Sequence, residues 1–153
     1  MENMEDVIFG KKELEKAIIE KVVVSQICPQ ALIILGDGNK EHANMFVQKA
    51  LDYLESMKKN NCTKIKLLIT STDSQEIWEI TNKIMKVNNW VEIVLKVPTQ
   101  KVNDFDRIYA VKEEIESHQW KYVVIIKDNG SKLKTYYLNT YLKLTTSAFI
   151  EFL

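Results

Sequence analysis

At 153 residues, with 46% hydrophobic side chains and only 4 Gly and 2 Pro, the chain has the size and composition of one ordered globular domain rather than a linker or a disordered tail. That length buries a core without help from metal or disulfides. Lysine plus arginine equals aspartate plus glutamate at 21 each, so no net charge draws the chain to nucleic acid or to an anionic membrane.

Residues 1–10 read as an acidic lead-in closed by Gly10, without the basic region of a signal peptide. No apolar run approaches the roughly 18 residues of a membrane-spanning helix. From Lys11 to about Val22 a helix is expected, with Leu14, Ala17, Ile18 and Val22 on one face. The β-branched run Val22-Val23-Val24 leaves a further strand open as the alternative. The expected organisation is a single α/β domain over 1–153, with 1–28 as an N-terminal helical lead-in packing on it. Cys28 and Cys62 have no metal-ligand spacing, so the expectation is two reduced thiols in a cytoplasmic protein.

The centre of the chain is a strand–helix–strand unit. Ala31-Leu32-Ile33-Ile34-Leu35 is a continuous apolar run between Pro29 and Gly36-Asp37-Gly38, as in a parallel strand covered on both faces. Phe46, Ala50, Tyr53, Leu54 and Met57 fall on one helical face, and Asn60-Asn61 closes that helix. Lys64 to Thr70 returns as a second strand, and such a crossover pairs parallel and right-handed. Asp73 and Glu76 resemble a capping box before a helix carrying Ile77, Ile80, Thr81, Ile84 and Met85. A third strand is expected over Val91–Val97, stopped by Pro98, then a helix from Asp104 with Phe105, Ile108, Tyr109, Val111 and Ile115. Tyr122–Ile126 is a fourth strand, Asp128-Asn129-Gly130 a turn, and Lys132–Leu138 the antiparallel return. Ala148–Leu153 reads as a strand or the start of a helix, and ending on apolar residues suggests an excised domain or a docked C-terminus. The fold expected is a three-layer α/β/α sandwich, with a mostly parallel sheet and a C-terminal antiparallel hairpin.

Open α/β sheets bind ligands at the carboxyl ends of their strands. The candidate ligand-binding residues there are Gly36, Asp37, Gly38, Asn39 and His42 after the first strand, and Thr72 and Asp73 after the second. Two glycines admit a close backbone approach, and a helix N-terminus attracts an anion. The dinucleotide fingerprint is broken at Glu41, and no phosphate-loop Gly-Lys-Ser/Thr follows. Asp37 and Asp73 could converge on a divalent cation, or each could simply cap a helix. His42 is the better placed histidine for acid–base work, and His118 reads as a helix-end residue. Asp128 reads as a turn residue. No complete catalytic or metal set is present, and the cofactor is unknown. Lys121, Lys127, Lys132, Lys134 and Lys143, interleaved with Tyr136, Tyr137 and Tyr141, suit single-stranded nucleic acid, or else a solvated hairpin that resists edge pairing.

Asp6-Val7-Ile8-Phe9-Gly10, then helix, strand and helix, then Lys64–Ile69 and Val91–Leu95, resembles the order of elements in phospholipase D-like domains of archaeal sensors and TrmB-type regulators. The likeness covers most of the chain and rests on pattern. The enzymes of that superfamily carry His-x-Lys, whereas His118-Gln119-Trp120-Lys121 is one residue too long. The resemblance therefore implies a non-catalytic sensing or protein-interaction domain of a larger regulator. Its partner would be a small molecule, a protein or a second copy of the chain, with nucleic acid less favoured and no membrane. The alternatives are a nucleotide- or phosphate-handling, Mg²⁺-dependent enzyme using residues 36–42, and a nucleic-acid-binding module using the basic hairpin 121–143.

Overall fold

The computed structural model of the protein describes residues 4–9, 28–95 and 104–139. In chain order these form β1 (Met4–Phe9), β2 (Ala31–Leu35), a 3-10 turn (Lys40–His42), α1 (Ala43–Lys59), β3 (Lys66–Thr70), α2 (Ser74–Met85), β4 (Glu92–Leu95), α3 (Asp104–Ser117), β5 (Tyr122–Asn129) and β6 (Lys132–Asn139). The strands make one six-stranded sheet in the order β1-β6-β5-β2-β3-β4. Only β5 and β6 pair antiparallel; the other neighbours are parallel.

The continuous apolar character of β2 has the cause expected of it. Leu32 and Ile34 pack with α1 and α2, through Phe46, Ala50, Leu54, Ile77, Ile80 and Ile84. Ala31, Ile33 and Leu35 point to the opposite layer, with Ile108, Val111 and Ile115 of α3. The sandwich is therefore three layers deep. Each fully buried Leu, Ile or Phe contributes about 1.5–3 kcal/mol of transfer free energy, and none of the five β2 residues is more than 1% exposed. α1 ends where Asn61 takes a left-handed φ of 63°, a conformation Asn tolerates.

Two expectations change, at the N-terminus and at the hairpin turn, and others fall outside the described residues. Met4–Phe9, expected as part of an acidic, then helical, lead-in, is the edge strand β1, parallel to β6 from Met4↔Leu133 to Phe9↔Leu138. Its Val7-Ile8-Phe9 run supplies the β-forming residues. The helix expected at Lys11–Val22 and the segment Ala148–Leu153 lie outside the described residues. β4 is described over Glu92–Leu95, and the expected continuation to Val97 also lies outside the described residues. In the hairpin the turn sits two residues later than its sequence suggests. β5 runs on to Asn129, which pairs with Lys132, leaving Gly130-Ser131 as the loop with Gly130 at φ 66°.

The cysteines are not reduced thiols: Cys28 and Cys62 form a disulfide with their Cα atoms 5.5 Å apart. The reason is the register of the sheet. β2 and β3 pair parallel from Ala31↔Lys66, so the residues just before each strand meet at the same pole. Among the described residues no helix is long and apolar enough to cross a membrane.

Candidate functional site

The chain leaves β2 through α1 to β3 and through α2 to β4, then returns through α3 to β5 on the other side of β2. Strand order therefore reverses between β2 and β5. The crevice outside the carboxyl ends of those two strands is where sheets of this kind hold ligands.

Three side chains meet there. Asp37 follows β2, His42 closes the 3-10 turn, and Asp128 lies near the end of β5. One ligand atom from each falls within 4.8 Å of the others. His42 Nδ1 is 3.2 Å from Asp128 Oδ2 and 3.9 Å from Asp37 Oδ1. The Asp37 backbone N–H donates to Asp128 Oδ2 at 3.0 Å, tying the two strand ends together. Asp37 is exposed, whereas His42 and Asp128 are 7% and 5% exposed.

Local chemistry fixes the loop. Asp37 Oδ1 accepts the Asn39 N–H at 2.9 Å, and Asn39 Oδ1 accepts the Glu41 N–H at 3.0 Å, capping the 3-10 turn. With its oxygen so engaged, the Asn39 amide turns its Nδ2 to His42 Nε2 at 3.3 Å. Nε2 is then the acceptor, which assigns the ring proton to Nδ1, facing the two carboxyl groups. Gly38 sits at φ 92°, where a Cβ would stand 2.5 Å from Thr72 Oγ1. Thr72 Oγ1 in turn donates to the Asp37 carbonyl at 3.1 Å.

A second buried carboxyl, Glu76 in the first turn of α2, supports this loop from behind. It is wholly buried, and its Oε1 accepts from Ser71 Oγ at 2.5 Å and from the Gly38 N–H at 3.3 Å. A Cβ on Gly36 would lie 2.3 Å from that oxygen, so the close approach requires glycine. Burial raises the Glu76 pKa, with the charges of Asp37 and Asp73 adding to it, against the Ser71 and Gly38 hydrogen bonds. Asp128 is pushed up to about 7, first by burial and then by the Asp37 carboxyl beside it, against the hydrogen bonds from His42 and the Asp37 backbone. Asp128 Oδ1 and Glu76 Oε2 are buried without a hydrogen-bond partner among the described residues. Such an atom costs about 1–3 kcal/mol unless something satisfies it.

Of the residues anticipated at the strand ends, Gly36, Asp37, Gly38, Asn39, His42 and Thr72 all belong to this loop system. Asp73 does not converge with Asp37 on a common point. Its Oδ1 accepts the Gln75 N–H at 2.9 Å and caps α2. The capping box is only half formed, because Glu76 turns to Ser71 and Gly38 while the Asp73 N–H donates to Ser71 Oγ. The partner of Asp37 is Asp128, which is a strand residue and not a turn residue. One signal in the sequence could have found it: Asp128 stands two positions past the apolar run Tyr122–Ile126, as Asp37 does past Ala31–Leu35. His118 lies elsewhere, at the end of α3, stacked on Trp120 at 4.4 Å between ring centroids. Tyr136 and Tyr137 are buried, so neither offers a base-stacking face, and Tyr141 lies outside the described residues.

No protein-family model matches the chain, and no curated protein is detectably similar to it.

Proposed function

We propose that Asp37 and Asp128 hold a hard divalent cation, Mg²⁺ or Mn²⁺, and that the domain is a metal-dependent enzyme of hydrolytic type. The observation that supports this reading is the convergence of two carboxyl groups and His42 at the β2–β5 reversal, with Asp128 Oδ1 buried and without a hydrogen-bond partner among the described residues. Oxygen ligands suit these ions, which keep several waters of their own. His42 presents N–H to the carboxyl groups, so it acts as a positioning residue that orients them, not as a third ligand. Asp37 and Asp128 would hold such a cation, which would supply Lewis-acid polarisation of an ester oxygen and would lower the pKa of a water bound to it.

The test is calorimetric titration of metal-free protein with Mn²⁺ at pH 8, followed by a panel of chromogenic carboxylate, sulfate and phosphate esters. One cation per chain is expected, with affinity lost in Asp37→Asn and Asp128→Asn. His42→Gln should weaken binding by about 10–100-fold, the usual cost of losing a residue that orients a metal ligand. Absence of Mn²⁺ binding in the wild type overturns the proposal. Binding without turnover of any ester replaces the enzyme with a cation-dependent sensing domain, the role that leads from the sequence.

A further inference from the structure

The pole of the sheet opposite Asp37 and Asp128 carries a second reactive pair, the bridge between Cys28 and Cys62. Its two halves stand in unlike surroundings. Cys62 belongs to the core on the α1/α2 face and is 3% exposed, whereas Cys28 is exposed. The bridge borders a cleft of about 280 Å³, whose walls include Gln30, Asn61, Thr63 and Lys64. A thiolate attacks a disulfide from the side away from the sulfur that leaves, so access decides which sulfur reacts. Core packing blocks that approach at Cys62, and exposure admits it at Cys28.

Neither cysteine owes its position to the bridge alone. On one side, the Gln30 N–H donates to the Tyr122 carbonyl at 2.7 Å, and the Gln30 carbonyl accepts the Lys66 N–H at 3.0 Å. On the other, the Cys62 N–H donates to the Met57 carbonyl at 2.8 Å, and the Asn60 side chain donates to the Ser56 carbonyl at 3.0 Å. None of these bonds runs through a sulfur. They keep the Cα atoms of Cys28 and Cys62 near their present 5.5 Å, within bridging distance, when the sulfurs part.

We infer that Cys28 is a site of reversible S-thiolation by a low-molecular-weight thiol. The thiolate attacks Cys28 Sγ and forms a new S–S bond there. The bond to Cys62 breaks, its electron pair leaves with Cys62 Sγ, and that sulfur takes a proton from water. One disulfide replaces another, with no net oxidation. In the return step the Cys62 thiolate attacks Cys28 Sγ, expels the small thiolate and restores the bridge. The return is intramolecular, so the mixed disulfide is short-lived in the wild type.

For the test, reduced wild type is mixed with oxidised glutathione, quenched in acid at intervals and mapped by peptide mass spectrometry, with circular dichroism to follow the fold. One glutathione should appear on Cys28 and then leave as the bridge closes, with the spectrum native throughout. Cys62→Ser has no thiol to resolve the adduct and should accumulate it on Cys28. Cys28→Ser should gain none until urea unfolds it. An adduct on Cys62 of the folded protein, equal labelling of both cysteines, or a Cys28 adduct that persists in the wild type overturns the inference. So does a folded, reduced protein that takes up no glutathione. If the reduced protein or a variant loses its native spectrum, the oxidised wild type decides. Excess reduced glutathione should then place the first adduct on Cys28 while the spectrum is native, and opening only after the spectrum is lost overturns the inference.

Discussion

Asp128 is a carboxyl group buried next to a second carboxyl, and its pKa near 7 converts directly into a pH dependence of folding. An unfolded chain releases this proton near 3.8, whereas the folded protein keeps it to about 7. Between those values the native state binds more protons, so the contribution of Asp128 to stability falls as pH rises and levels off above about 7. Urea denaturation in EDTA from pH 4 to pH 8 should show this decline, and Asp128→Asn should flatten it. The cation competes for the same carboxyl, so Mn²⁺ affinity should climb through the same window. At Gly36 the constraint is steric. Glu76 cannot swing away from an added methyl without leaving Ser71 Oγ and the Gly38 N–H, so Gly36→Ala should cost about 1–3 kcal/mol in urea denaturation. The place of Asp37, Gly38 and His42 at a strand end was visible in the sequence because they follow an apolar run. Glu76 and Asp128 were not, since their partners, Ser71 with Gly38 and Asp37 with His42, come from other elements.

α1 and α2 could be read directly, because one helical face in each is apolar and one solvated, and burial follows the periodicity. Their caps were less legible, since Asp serves equally as cap and as metal ligand. The structure shows Asp73 in the capping use, and the proposal gives Asp37 the other. Asp73→Ala should cost about 1 kcal/mol through loss of its bond to the Gln75 N–H. It should leave Mn²⁺ affinity unchanged in the same calorimetric titration that Asp37→Asn abolishes. The hairpin shows why turn signals misplace strand ends. Asp128-Asn129-Gly130 has turn composition, but parallel pairing of β5 with β2 and antiparallel pairing with β6 hold Asp128 inside the ladder. β1 was illegible for a related reason: it becomes a strand only because β6 offers it an open edge.

Across the whole molecule, the α/β class and the helix–sheet layers were legible from the strand–helix alternation, whereas the order of strands was not. No local pattern states that β5 lies beside β2, and that adjacency creates the site. The disulfide escaped notice on the same ground, because the proximity of Cys28 and Cys62 is a property of parallel register. The two cysteines are 34 positions apart, and closing a loop of that size stabilises the fold by about 3–4 kcal/mol in the chain-entropy account. Reduction with dithiothreitol, or Cys28→Ser, should lower the urea midpoint accordingly. Cation affinity should be untouched, since the bridge and the site occupy opposite poles of the sheet.

Asp37 and Asp128 are separated by 91 residues, yet hold each other through one backbone hydrogen bond. During synthesis, Asp37 leaves the ribosome long before its partner exists, and a chain halted after β4 holds three parallel strands and half a site. If the proposed cation site is real, capture should come late in maturation, coupled to the docking of β5. A pulse of Mn²⁺ during refolding would report arrival of the final topology, because an intermediate lacking the β2–β5 contact has nothing with which to bind it.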